Sequence, residues 1–167
     1  MMYHDVRSKS MGSLLNWRGS FRRGDRVMAK TFDKPSITAE LAEKIIQAAA
    51  AKAKEIGVPM VIAVVDESGV LKSFLRMDGA KLLSVDIAQN KAYTAVSFGI
   101  STDAWYDFIK DDPPLYTGIV HTPRLVVFGG GYPIVLNGDL VGGIGVSGGH
   151  YSQDMECALA GVEAASN

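Results

Sequence analysis

His150 stands in the stretch VSGGHYSQDMEC, after two glycines and just before a helical pattern. An imidazole in that position can ligate a metal, carry a proton or cap the helix. The positive end of a helix dipole disfavours imidazolium, which keeps the ring neutral and able to ligate. Asp154 follows four residues on, so His150 and Asp154 are candidate ligands for a metal such as iron. Tyr151 adds a phenol at the same corner. Gly148 and Gly149 leave backbone N–H groups at the start of the helix, where a ligand carboxylate can sit.

Three further side chains carry usable charge or basicity. On a helical wheel Lys91 stands between Ile87 and Ala95, at the edge of an apolar stripe, with Asp86, Asn90 and Ser97 on the polar side. It either snorkels to solvent or is enclosed with a shifted pKa, and then holds an anion or exchanges a proton. Arg76 opens R-M-D-G. Asp78 and Gly79 read as a strand-ending turn, and the guanidinium is shaped to fork onto a carboxylate. His121, in GIVHTPRL, either pins its loop or meets a ligand. His4 is no credible ligand, and no H-x-x-H, H-E-x-x-H or C-x-x-C spacing supports a structural zinc. Trp105 and Tyr106 either anchor a short helix or roof a flat ligand.

The elements that must position these groups follow from periodicity and punctuation. Thr38 is placed to cap a helix over 39–56 that Gly57 and Pro59 end. MVIAVVDESGVLKSFLR reads as two strands with a tight turn, the first apolar on both faces and therefore central. A helix spans 82–98, closed by Gly99, and a short one follows around Trp105. Asp111-Asp112-Pro113-Pro114 reads as a breaker, with a long loop over 111–124. Strands are expected at LVVFGGG and on both sides of Asn137-Gly138, the strongest hairpin signal in the chain. A last helix spans about 152–165. Hairpins without β-α-β crossovers imply an α+β sandwich on an antiparallel sheet. Gly143-Ile144-Gly145-Val146-Ser147-Gly148 matches G-x-G-x-x-G, but inside such a hairpin it does not make a dinucleotide site. Those glycines instead allow close approach of a helix, a partner subunit or a flat ligand.

The 167 residues are 47% hydrophobic and 21% charged, as expected for one globular domain. The net charge of −1 argues against a nucleic-acid surface. Residues 1–34 hold eight Lys/Arg against three Asp/Glu, and 35–167 hold nine against fifteen. We therefore expect a basic, disordered extension over 1–34 and a mildly acidic folded domain over 35–167. No apolar run is long enough for a membrane span, and the basic start lacks the apolar core of a secretory signal. The single cysteine, Cys157, excludes an intrachain disulfide and fits the reducing cytoplasm.

LRMDGAKLLSVDIAQNKAYTA, FGGGYPIVLNGDLVGGIGVSGG and the terminal QDMECALAG together resemble the GlcG/HbpS (haem-binding, DUF336) family, which includes the C-terminal domain of PduO-type proteins. The resemblance covers about residues 36–165. It implies a profilin-like, five-stranded antiparallel sheet flanked by helices, assembled into a homo-oligomer between dimer and octamer. It also implies haem or another tetrapyrrole as cofactor, with iron binding and haem degradation in some members. Lys91 falls within the family's D-I-A-x-x-K-A helix. At His150-Tyr151 the chain departs from the Thr-Pro of many members, which reads as helix cap and first helical residue. His150 is then either a substitute cap or an addition to the pocket. Tyr151 becomes an alternative axial ligand for haem.

On this basis the leading expectation is a cytoplasmic homo-oligomer that binds a tetrapyrrole as carrier, sensor or haem-degrading accessory, with neither nucleic acid nor membrane as partner. Its pocket is expected from the 76–91 region, the loop around His121 and the 148–154 corner, with Arg76 or Lys91 neutralising propionates. A rival is a small-molecule enzyme of lyase, isomerase or hydrolase type. There Lys91 and His150 would act as acid and base on a carboxylate-bearing substrate. The third reading is a structural accessory subunit without a small ligand.

Overall fold

The computed structural model describes residues 30–166. Up to residue 29 the expected N-terminal extension lies outside them, and His4 with it. Helix α1, Ala39–Glu55, starts where Thr38 Oγ1 accepts the Leu41 N–H at 3.2 Å, and its buried stripe is Ala42, Ile45, Ile46, Ala49, Ala50 and Ala53. Strands β1, Val61–Asp66, and β2, Leu71–Arg76, form the expected hairpin. Asp66 Oδ1 holds its turn by accepting from the N–H groups of Ser68 and Val70. Helix α2, Ser84–Phe98, closes on Gly99 in the left-handed region. Two short helices follow, α3, Trp105–Ile109, and α4, Pro113–Gly118, then a 3-10 turn, Ile119–His121. Strands β3, Gly131–Leu136, and β4, Asp139–Ser147, flank Asn137-Gly138, both at positive φ as a two-residue hairpin requires. Helix α5, Tyr151–Ser166, ends the described chain.

The sheet is antiparallel throughout, in the order β2-β1-β4-β3. β1 is central, as its two apolar faces require, and Val61 to Val65 are all buried. One face carries α1 and α5 over a core that includes Ile45, Met60, Ile62, Val64, Ile144 and Val146. The opposite face carries α2, packed on β1, β4 and β3. α2 lies unusually close to β4 because of Gly143 and Gly145. A Cβ on Gly143 would stand 2.6 Å from the Ala92 carbonyl, and one on Gly145 would collide with the Ala88 carbonyl. The strand glycines thus serve close helix packing.

Two expectations are corrected. The resemblance implies five strands, whereas the sheet has four among the described residues. The run LVVF does not join it. Its backbone is fixed by a side chain instead, with Thr94 Oγ1 donating to Arg124 O and accepting from Val126 N, both at 3.0 Å. Residues 113–121 are helical where a loop is expected. Asp112 accepts the Leu115 N–H, and prolines fill the first positions of α4, where an N–H is unpartnered anyway.

Candidate functional site

Lys91 is enclosed. Its side chain is 0% exposed, and Nζ donates to Asp154 Oδ2 at 2.7 Å and to Val146 O at 2.9 Å. The ring of Phe128 covers it, with its centroid 4.8 Å from Nζ. Burial pulls the ammonium pKa below its ordinary value, and the Asp154 carboxylate opposes that pull. The pair joins α2 to α5 across the end of β4, 63 residues apart in sequence. Gly130 leaves room for it, since a Cβ there would stand 2.7 Å from Asp154 Cβ and 2.8 Å from Lys91 Nζ.

The glycine corner ahead of α5 does hold a carboxylate, and the carboxylate is the protein's own. Gly149 N–H donates to Asp154 Oδ1 at 3.1 Å. His150 N–H donates to Gln153 Oε1 at 3.0 Å, while the N–H groups of Gln153 and Asp154 return to His150 O. The Gln153 side chain thus supplies one half of a capping box, with His150 as the cap residue and Gln153 three positions on. The imidazole joins in, with Nδ1 2.9 Å from Ser152 Oγ and 3.4 Å from Ser152 N. The exposed ring leans on Tyr151, which is also exposed, with centroids 4.3 Å apart. The His150 imidazole therefore faces solvent while Asp154 turns inward to Lys91. Among the described residues no group of three or more His, Cys, Asp or Glu stands together as a metal-ligand set. Cys157 is buried in the core, and burial pushes its thiol up to about 11.

Arg76 is also committed to the fold. Its Nη2 and Nε donate to Ala80 O at 2.9 and 3.3 Å, closing the R-M-D-G turn on itself.

His121 lies apart from that corner. It lines a cavity of about 460 Å³ with Tyr106, Ile109, Tyr116, Thr117, Val120 and Val127. The cavity is built by α3, α4 and the 3-10 turn, the helical segments that replace the expected loop. Trp105, fully buried and edge-to-face with Phe98 and Phe108, anchors α3. Tyr106 thereby becomes a wall, 6.5 Å from Tyr116 between ring centroids. Sequence reasoning named His121 and Tyr106 but missed Tyr116 and the cavity. The usable signal was Asp112-Pro113, an N-cap followed by proline at the first helical position.

A family model described as haem degrading protein HbpS-like matches residues 37–163, spanning both helical faces and all four strands. The chain belongs to the HbpS-like family. It is 43% identical over 128 residues to an uncharacterised 15.0 kDa protein from the dhaT-dhaS intergenic region of Citrobacter freundii, covering 76% of this chain and 90% of that one. The crystal structure of Klebsiella pneumoniae protein ORFY, of the DUF336 family, is 34% identical with a TM-score of 0.78, covering 83% of this chain and 97% of that one. A crystal structure of a PduOC–haem complex is similar at 34% identity and a TM-score of 0.72, covering 77% and 94% of the two chains. Within this HbpS-like chain the D-I-A-x-x-K-A helix is α2, and its lysine is the buried partner of Asp154.

Proposed function

We propose that this HbpS-like protein binds haem or a related tetrapyrrole in the cavity under α3 and α4, with His121 as the iron-facing side chain. The observation that carries the reading is a cavity of about 460 Å³ walled by apolar and phenolic side chains, with one imidazole among them. That size lies within the range of roughly 300–1,000 Å³ usual for small-molecule sites. The residues fit the group: Ile109, Val120 and Val127 offer apolar surface to a macrocycle, Tyr106 and Tyr116 offer ring faces or phenols, and His121 offers nitrogen. No hydrogen bond engages the His121 ring among the described residues. Haem, when bound, supplies redox chemistry at its iron, and the chain supplies binding, orientation and exclusion of water. The similar PduOC structure, a haem complex, supports the same ligand class.

Lys91 and Asp154 serve this reading from a distance, by locking α2 and α5 onto the sheet. His150 caps α5 and offers its exposed ring edge as an alternative ligand at the surface. The protein acts as a homo-oligomer in the cytoplasm. Assembly is supported by the exposed Leu71 and Phe74 on the edge strand β2 and by Leu82 and Leu83, 76% and 69% exposed, ahead of α2. The one buried cysteine suits a reducing compartment, and no helix among the described residues is long and apolar enough to cross a membrane.

Titration of the purified protein with hemin tests the reading. A saturable Soret shift is expected, weakened by His121→Ala and retained by His150→Ala. Absence of a saturable shift in the wild type overturns the ligand. A shift lost in His150→Ala and kept in His121→Ala moves the site to the α5 corner.

A further inference from the structure

Arg124 is held in an unusual conformation. Its backbone lies in the left-handed region at φ 69°, which costs any residue with a Cβ. Buried Thr94 enforces that geometry by gripping the carbonyl of Arg124 and the N–H of Val126. The exposed side chain is engaged as well. Its guanidinium lies 3.6 Å from the centroid of the Tyr93 ring, and Nε donates to Asn90 Oδ1 at 3.3 Å. The ring is itself backed by the β1–β2 turn, where a Cβ on Gly69 would stand 2.8 Å from Tyr93 Cδ2. Three residues of α2, half-buried Asn90 and Tyr93 and buried Thr94, thus hold one arginine by backbone and side chain together.

That arginine has no ion-pair partner among the described residues, and neither Nη group has an acceptor there. Val120, His121 and Val127 line the larger cavity, while Thr122, Pro123 and Leu125 line a second groove of about 160 Å³ against Tyr93 and Phe98. Segment 120–127 thus contributes residues to both concavities, and Arg124, which lines neither, lies between those residues in sequence and stacks on Tyr93 of the smaller groove. Arg124 lies three positions after His121, so their Cα atoms are at most about 11 Å apart. A planar fork with two free Nη groups, stacked on an aromatic ring, is suited to a carboxylate.

We propose that Arg124 is the anion-reading residue of the ligand site, taking a carboxylate of the bound small molecule on its two Nη groups. This rests on the tetrapyrrole reading and narrows it: the ligand bears an acidic side arm, and a neutral ester of the same macrocycle loses the Arg124 contact. Arg76 and Lys91, the cations that sequence reasoning assigned to this task, are committed to Ala80 O and to Asp154.

The test compares hemin with hemin dimethyl ester on the wild type, Arg124→Gln and Arg124→Lys, each first shown to melt cooperatively. Arg124→Gln is expected to weaken hemin about tenfold, the size of one charge-assisted contact at a partly solvated site, while leaving the ester unchanged. Arg124→Lys is expected to recover part of the loss, and raised ionic strength to weaken hemin on the wild type more than on Arg124→Gln. Equal hemin affinity in wild type and Arg124→Gln overturns the assignment. So does an equal loss for hemin and ester, which marks a structural role. A wild type that takes up neither compound saturably overturns the tetrapyrrole reading and this assignment with it, whereas hemin binding that is indifferent to Arg124 overturns the assignment alone.

Discussion

Lys91 and Arg124 are both held by helix α2, and they have opposite fates. Lys91 points into the protein, is 0% exposed, and spends its charge on Asp154 and Val146 O. Arg124 lies outside, stacked on Tyr93, with its terminal nitrogens unpaired among the described residues. An enclosed ammonium must be paired or the fold bears its desolvation, so the Lys91–Asp154 pair reads as a lock. An exposed guanidinium gains little from being ordered, because surface charges are well solvated. A guanidinium fixed by Tyr93 and Asn90 with its terminal nitrogens unpaired among the described residues is placed to take a ligand. The comparison teaches that the cation of the helix motif is committed to partners within the fold, whereas Arg124 keeps its terminal nitrogens unpaired among the described residues.

Breaking the lock should give the largest effect. Asp154→Ala leaves a buried ammonium without its counter-charge and strips the Gly149 N–H of its acceptor. A loss of about 3–5 kcal/mol is expected in urea unfolding. The double variant Lys91→Met/Asp154→Leu removes the charges together and should recover most of that loss. If Asp154→Ala unfolds like the wild type, the lock is not structural. Next comes the clamp under Arg124. Thr94→Val keeps the shape and deletes both hydrogen bonds, at a cost of about 1–3 kcal/mol, with faster hydrogen exchange at Val126 as the local signature. Unchanged exchange there would mean that segment 124–126 holds its conformation without Thr94. Smallest is the cap at the corner ahead of α5. Gln153→Ala should cost about 0.5–1 kcal/mol by releasing the His150 N–H, with hemin affinity unchanged. A large loss of hemin affinity would return the ligand to that corner.

The parts of the fold legible in sequence were those with local causes. Thr38 caps α1, Asn137-Gly138 turns β3 into β4, and Gly99 ends α2, each through a preference that acts over a few residues. The paired apolar faces of Val61 to Val65 placed β1 at the centre of the sheet. His150 as substitute cap was one of two readings open for that residue, and the hydrogen bonds match it. What escaped depends on distance. LVVF has the composition of a strand, yet pairing is a tertiary event, and Thr94 satisfies the Val126 N–H from 32 residues away. Asp111-Asp112-Pro113-Pro114 reads as an interruption because proline breaks helices from within, although at the first turn it starts them. Lys91 is recognisable as ambiguous from its place on the helical wheel. Its partner is not, since Asp154 lies 63 residues away and by sequence reads as a ligand for iron.

The placement of the ligand is the central claim, and hydrogen–deuterium exchange with and without hemin tests it most directly. Protection is predicted across residues 105–127, over α3, α4, the 3-10 turn and the Arg124 segment, with little change at 146–157. Protection concentrated at 146–157, with 105–127 unaffected, would contradict the account and place the ligand at the His150 corner.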